Sequence, residues 1–167
     1  LPPYYPDTPL IRRDWANGLE QLQLADKTIG KMLQKLDEDG LRDNTLVILI
    51  GDNGRCMPRG KQFLYDGGIS IPLLMRWPGH IKPGTVCDDL VNTLDICKTI
   101  VDFAEVHPPH RLHGMNLFET AIRKRPYIFA TRDKMDDTHD AMRAVRSKRY
   151  KYIRNLMPER AYCQYNE

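Results

Sequence analysis

Between Arg12 and Asp39 the apolar residues Trp15, Leu19, Leu22, Ile29, Met32, Leu33 and Leu36 recur at helical steps. That spacing gathers them on one face and predicts a long amphipathic helix, which Gly40 is placed to stop. Asp43-Asn44 follows as a turn, and Thr45 to Ile50 is an almost unbroken apolar run. Such a run predicts a buried strand of the parallel kind, covered on both faces. Ile71 to Trp77 reads as a second strand, closed by Pro78-Gly79. Leu90 to Ala104 reads as a helix, with Leu94, Ile96, Cys97, Ile100, Val101 and Phe103 as its apolar contacts. A Pro/His loop spans 105–114, then a short helix is expected over Leu117 to Lys124 and a strand over Tyr127 to Thr131. Met142 to Val145 and Tyr150 to Leu156 flank Arg146-Ser147-Lys148-Arg149, the pattern of an antiparallel hairpin.

Helix followed by buried strand argues for α/β layering. The chain therefore divides into the C-terminal part of an α/β sheet-and-helix domain, residues 1–125, and the start of a small antiparallel subdomain, residues 126–167. Its 167 residues suffice for one domain with a core. A formal charge of +3 supplies no general attraction to nucleic acid, and no apolar run approaches the ~20 residues of a membrane span. The basic residues are unevenly placed: Arg143, Arg146, Lys148, Arg149, Lys151 and Arg154 alternate with apolar residues near the end. They make either the solvated face of a strand pair or a positive rim that attracts anionic substrates. Cys56, Cys87, Cys97 and Cys163 lack zinc-site spacing, and His107, His110 and His113 lie in the Pro-interrupted loop without forming a metal motif.

Chemistry concentrates where the first apolar run stops, at Gly51-Asp52-Asn53-Gly54. A carboxylate and an amide oxygen there sit beyond the carboxyl end of a strand, where open α/β sheets bind ligands. Hard oxygen donors suit a divalent metal, and Lys61, in the glycine-bearing loop that follows, suits an anionic group. Gly54 is expected to allow the bend that turns Asp52 and Asn53 inward, and Gly60 to let the backbone approach the site. Downstream, Arg132, Asp133, Asp136, Asp137, His139 and Asp140 read as a polar connection before the hairpin, each more readily an exposed loop charge than a substrate contact. His139 stands out, because imidazole can donate to a leaving group or an anionic oxygen.

The order of these motifs resembles the second half of a sulfatase of the alkaline-phosphatase superfamily, nearest to bacterial enzymes similar to heparan N-sulfatases and arylsulfatases. Pro6-Asp7-Thr8-Pro9, Asp52-Asn53-Gly54, Gly60-Lys61 with Tyr65-Asp66-Gly67-Gly68, Arg76-Trp77-Pro78-Gly79 and Arg143-Ala144-Val145-Arg146 carry the resemblance. It implies hydrolysis of sulfate esters or N-sulfate groups on sulfated sugars, with Asp52 and Asn53 as ligands of a divalent metal, usually Ca2+. It further implies Lys61 as the catalytic contact to the transferred sulfate, and Arg59 as either a second anion contact or a surface residue. Tyr65 is expected to pack and Asp66 to hold the loop. For a bacterial source the resemblance favours a periplasmic or secreted location.

The family's nucleophile is a formylglycine made from Cys or Ser in a Cys/Ser-x-Pro-x-Arg motif of the N-terminal half. Cys56-Met57-Pro58-Arg59 does not match, since its Arg follows the Pro directly and it lies after the Asp-Asn pair. Cys56 is read as a loop thiol. The chain opens at Leu1 without an initiator Met, which predicts a fragment that needs an N-terminal half of the sulfatase as partner and is inactive alone. Two other readings stand beside this one: a phosphoesterase of the same superfamily, against which Asn53 counts because those often carry His there, and an inactive remnant or binding module.

Overall fold

A computed structural model describes residues 1–119, 122, 124–135 and 138–161. The elements in chain order are α1 (Pro9–Glu38), a 3-10 turn (Arg42–Asn44), β1 (Val47–Ile50), α2 (Asp66–Ile69), β2 (Leu73–Arg76), α3 (Thr93–Phe103), β3 (Ile128–Met135), β4 (Thr138–Arg146) and β5 (Lys151–Asn155). β1 pairs with β2 in a two-stranded sheet, and β3-β4-β5 form a three-stranded antiparallel sheet. Among the described residues no helix is long and apolar enough to cross a membrane.

The chain forms two compact units, Leu1–Ile48 with Met75–Gly84, and Leu49–Leu74 with Thr85–Glu167. In the first, Thr8 caps α1 by accepting from the Ile11 N–H at 3.3 Å, and Pro9 takes the first helical position, where a missing N–H costs nothing. Gly40, at φ +69°, takes the left-handed turn that ends the helix. Asp37 near that end pairs with Arg42 at 3.5 Å and Arg76 at 3.8 Å. The predicted helix is present, but no residue of α1 is buried, and Leu19, Leu22 and Met32 stand exposed.

β1 departs from expectation in the same way. Val47 and Ile48 are half-buried, whereas Leu49 and Ile50 are exposed. Among the described residues β1 pairs with β2 alone, and the cover on both faces that its composition calls for is incomplete.

Among the described residues the buried apolar ones, Leu64, Leu90, Ile96, Ile122 and Ala144, all lie in the second unit. α3 begins with a reciprocal capping box: Asn92 Oδ1 accepts from the Leu94 N–H at 3.1 Å, and Asp95 Oδ2 accepts from the Asn92 N–H at 2.6 Å. Asp95 is only 1% exposed and also takes both terminal nitrogens of Arg125, at 2.5 and 2.8 Å, and the Met115 N–H at 2.8 Å. One carboxylate thus ties the helix start to two later segments. Thr99 accepts from the Leu117 N–H at 2.9 Å and fixes the same loop one turn along. The short helix expected over Leu117 to Lys124 includes residues 120, 121 and 123, which lie outside the described residues.

The predicted terminal hairpin is β4 and β5, joined where Ser147 and Tyr150 exchange hydrogen bonds. The polar stretch before it is not a connection. Arg132, Asp133, His139 and Asp140 belong to paired strands, not to a loop, while Asp136 and Asp137 lie outside the described residues. Arg132 faces Met142 and the next pair is Lys134 with His139, so Asp133 opposes both Asp140 and Ala141. That is a β-bulge, a device that re-aims side chains.

Candidate functional site

β1 delivers the chain to Gly51, whose N–H donates to the Pro72 carbonyl at 3.2 Å, and Asp52-Asn53 turns away immediately afterwards. Asp52 Oδ1 accepts from the N–H of the next residue, Asn53, at 2.9 Å, which ties the carboxylate to the backbone of the turn. Asn53 Nδ2 donates to the Gly54 carbonyl at 2.7 Å, which commits the amide nitrogen and leaves Oδ1 as the atom for a cation. Among the described residues no cation pairs with Asp52. A hard divalent cation fits this donor chemistry. Among the described residues, however, no group of three or more His, Cys, Asp or Glu assembles. Asp52 and Asn53 alone would not complete a calcium site, because calcium takes roughly six to eight oxygens.

Gly54 is not in the left-handed region; its N–H donates to the Gly68 carbonyl at 3.0 Å. A Cβ on Gly54 would lie 2.0 Å from the Gly67 oxygen, and one on Gly60 would lie 2.1 Å from the Arg55 oxygen. These positions need glycine because backbone packs on backbone, which welds the Asp52-Asn53 turn to the loop that carries Lys61.

Lys61 itself is half-buried, and its N–H donates to the Arg55 carbonyl at 2.8 Å. It lies between Arg59 and Gln62, two non-glycine residues at φ +63° and +77°. Arg59 is exposed, with its guanidinium 4.7 Å from the centre of the Tyr65 ring, and Tyr65 stacks on Phe63 at 5.9 Å. Asp66 holds the loop, accepting from Lys151 Nζ at 2.5 Å and lying 3.6 Å from Arg146.

Asp52 and Asn53 line a cleft of ≈ 590 Å³ with Gln62, Arg132 and Arg146. Lys61, Arg59 and His139 are not among its lining residues. His139 is exposed on β4, paired across the ladder with Lys134. Several residues of the terminal basic cluster have a use inside the unit: Lys151 and Arg146 reach Asp66, Lys148 reaches Asp89 at 3.0 Å, and Arg143 reaches Asp133 at 2.6 Å.

Residues 6–106 match the family described as Sulfatase, and residues 59–166 match the one described as N-sulphoglucosamine sulphohydrolase, C-terminal. The chain belongs to the sulfatase family. It is 36% identical to an ulvan-active sulfatase of Formosa agariphila over 97% of this chain and 27% of that protein. It is 31% identical to the human N-sulphoglucosamine sulphohydrolase over 93% of this chain and 34% of that one. A solved structure of a protein in complex with its substrate D-glucosamine-2-N,6-O-disulfate shares the fold, at TM-score 0.70 and 22% identity over 87% of this chain and 31% of the other. The sulfatase chain thus spans about a quarter to a third of the length of these relatives.

Sequence reasoning missed the weight of Arg132 and Asp140 in this sulfatase chain. They are 6% and 8% exposed and form an ion pair, with Arg132 Nη1 donating to the Gln62 carbonyl at 2.7 Å. Along β4 Asp140, Met142 and Ala144 are more covered than His139 and Arg143, but a charged residue in that register does not by itself announce a buried pair.

Proposed function

We propose that the protein is the C-terminal part of a divalent-metal-dependent, specifically calcium-dependent, sulfatase that hydrolyses sulfate esters or N-sulfate groups on sugars. The observation that carries this reading is the Gly54–Gly68 contact, which joins the oxygen donors of Asp52 and Asn53 to the loop of Lys61. Asp52 and Asn53 would hold the cation, and the remaining ligands and a formylglycine nucleophile would come from an N-terminal half. When bound, the cation would polarise the sulfate and favour the anionic form of the nucleophile.

Lys61 supplies a compact positive charge to a sulfate oxygen and holds the group in place. Arg59, fixed over the Tyr65 ring, is a second anion contact, and His139 serves substrate groups beyond the transferred sulfate. Sulfated sugars are supported as the substrate class by the names of the relatives, an ulvan-active sulfatase and an N-sulphoglucosamine sulphohydrolase.

The test separates the two halves of the site in the full-length protein that contains this chain. Asp52→Ala should lose calcium affinity by calorimetry and lose turnover of a small aryl sulfate. Lys61→Ala should keep calcium affinity and lose turnover by about a hundredfold or more, on the order of 3 kcal/mol for a preorganised charged donor. Unchanged calcium affinity in Asp52→Ala would remove the metal assignment, and a parental rate in Lys61→Ala would remove the sulfate contact.

A further inference from the structure

The backbone on either side of Lys61 is unusual, and what holds it is not local. Gln62 occupies the left-handed region at φ +77° without being glycine, a conformation that persists only where the surroundings impose it. The Gln62 carbonyl accepts from Arg132 Nη1 at 2.7 Å, across 70 residues of chain. Arg132 Nη2 in turn pairs with Asp140, and the Arg132 guanidinium lies 5.4 Å from the centre of the Phe63 ring. Asp140 is fixed by the bulge in β4, where its Oδ1 also accepts from the Ala141 N–H at 2.9 Å. Two residues further along the loop, Lys151 Nζ donates to the Leu64 carbonyl at 3.0 Å. The antiparallel sheet therefore grips two carbonyls of the loop, those of Gln62 and Leu64, with cations, and the first grip falls on the residue next to Lys61.

A surface ion pair would do little, but this one is shielded from water, so its geometry is held tightly. A planar guanidinium can donate to a carboxylate and a carbonyl at once in fixed directions, which an ammonium cannot. From this we infer that Arg132, anchored by Asp140, is a positioning residue for Lys61 and acts through the Gln62 carbonyl. The inference rests on Lys61 touching the transferred sulfate, as proposed above.

A double-mutant cycle in the full-length protein, assayed with a small aryl sulfate, tests it. Arg132→Gln and Asp140→Asn should each lower kcat by about tenfold or more with KM within about threefold, because the group that moves acts mainly in the transition state. In a Lys61→Ala background the same substitutions should change kcat by less than about twofold, since nothing remains to be positioned. Arg132→Lys should recover part of the loss. If Arg132→Gln and Asp140→Asn cost as much in the Lys61→Ala background as in the parent, the ion pair serves the fold alone and the inference fails. If Lys61→Ala itself turns over at the parental rate, the underlying reading fails first and takes the inference with it. Should Arg132→Gln not accumulate as folded protein, the Asp140→Asn arm, which keeps the side chain's shape, decides between the same two results.

Discussion

Gly54 and Gly68 hydrogen-bond at 3.0 Å, and that contact is where the two halves of the candidate site meet. A methyl group cannot enter there, because a Cβ on Gly54 would lie 2.0 Å from the Gly67 oxygen and 2.5 Å from the Gly68 Cα. The obstacles are backbone atoms, so relief requires the turn and the loop to move apart.

Gly54→Ala should therefore destabilise the protein by about 1–3 kcal/mol or more, the range for forced overpacking. In the full-length protein it should also weaken calcium binding, although glycine offers the ion no side chain. Thermal unfolding and calorimetric titration on the same preparation check both. A variant with parental stability and affinity would mean the contact does not couple the turn to the loop.

Asp95 makes the fold acid-sensitive in a defined direction. Burial opposes its ionisation, yet the hydrogen bonds from Arg125 and from the Met115 and Asn92 N–H groups, with the Arg125 charge, outweigh burial and hold the carboxyl below its ordinary value of 3.8. A carboxyl with a lowered folded pKa contributes stability that is complete above the unfolded value and is lost as pH falls through the folded one. Asp95→Asn should cost about 3–5 kcal/mol at pH 7, since it leaves the partly buried Arg125 charge unpaired. The gap between variant and parent should narrow below about pH 4. Urea titrations at several pH values give the curve, and a gap that widened on acidification would reverse the assignment.

Legibility in the sequence followed the range of the interaction. The period of Trp15, Leu19 and Leu22 announced α1, and the Ser147-Lys148-Arg149 stretch announced the β4–β5 turn, because both are local patterns. The place of Asp52 and Asn53 just beyond β1 was legible because an apolar run stops against them. Arg132 and Asp140 were not, since a charge in a buried pair is written with the same letters as a charge in water. The glycines of the loop were visible while their reason was hidden: Gly54 needs no special φ, only a neighbour 14 residues away that leaves no room.

The 167-residue chain by itself should show no turnover of an activated aryl sulfate with calcium present. Asp52 and Asn53 bring two donors where a calcium ion needs roughly six to eight, and the chain has no Cys/Ser-x-Pro-x-Arg sequence. Cys56 is exposed, so it is open to modification if the motif were tolerated in its shortened form. Turnover that Cys56→Ala abolishes would show that Cys56-Met57-Pro58-Arg59 is a nucleophile motif after all.

Lys61→Arg in the full-length protein should restore only part of what Lys61→Ala loses. The charge is retained, so attraction of the sulfate and its KM should stay near the parental value. A guanidinium is larger and donates in a plane, whereas an ammonium offers three donors about a single point. The loop has little freedom to accommodate the change. Gly60 packs against the Arg55 and Met57 carbonyls, Gln62 is held by Arg132, and the Lys61 N–H is bound to the Arg55 carbonyl at 2.8 Å. The sulfate oxygens must shift instead, away from the line of attack, and misplacement by about 1 Å can cost on the order of a hundredfold. The expected result is a kcat between those of Lys61→Ala and the parent with KM little changed, read from steady-state kinetics on a small aryl sulfate. A full parental kcat in Lys61→Arg would mean that charge alone is required and that the rigid loop around Lys61 has no part in placing it.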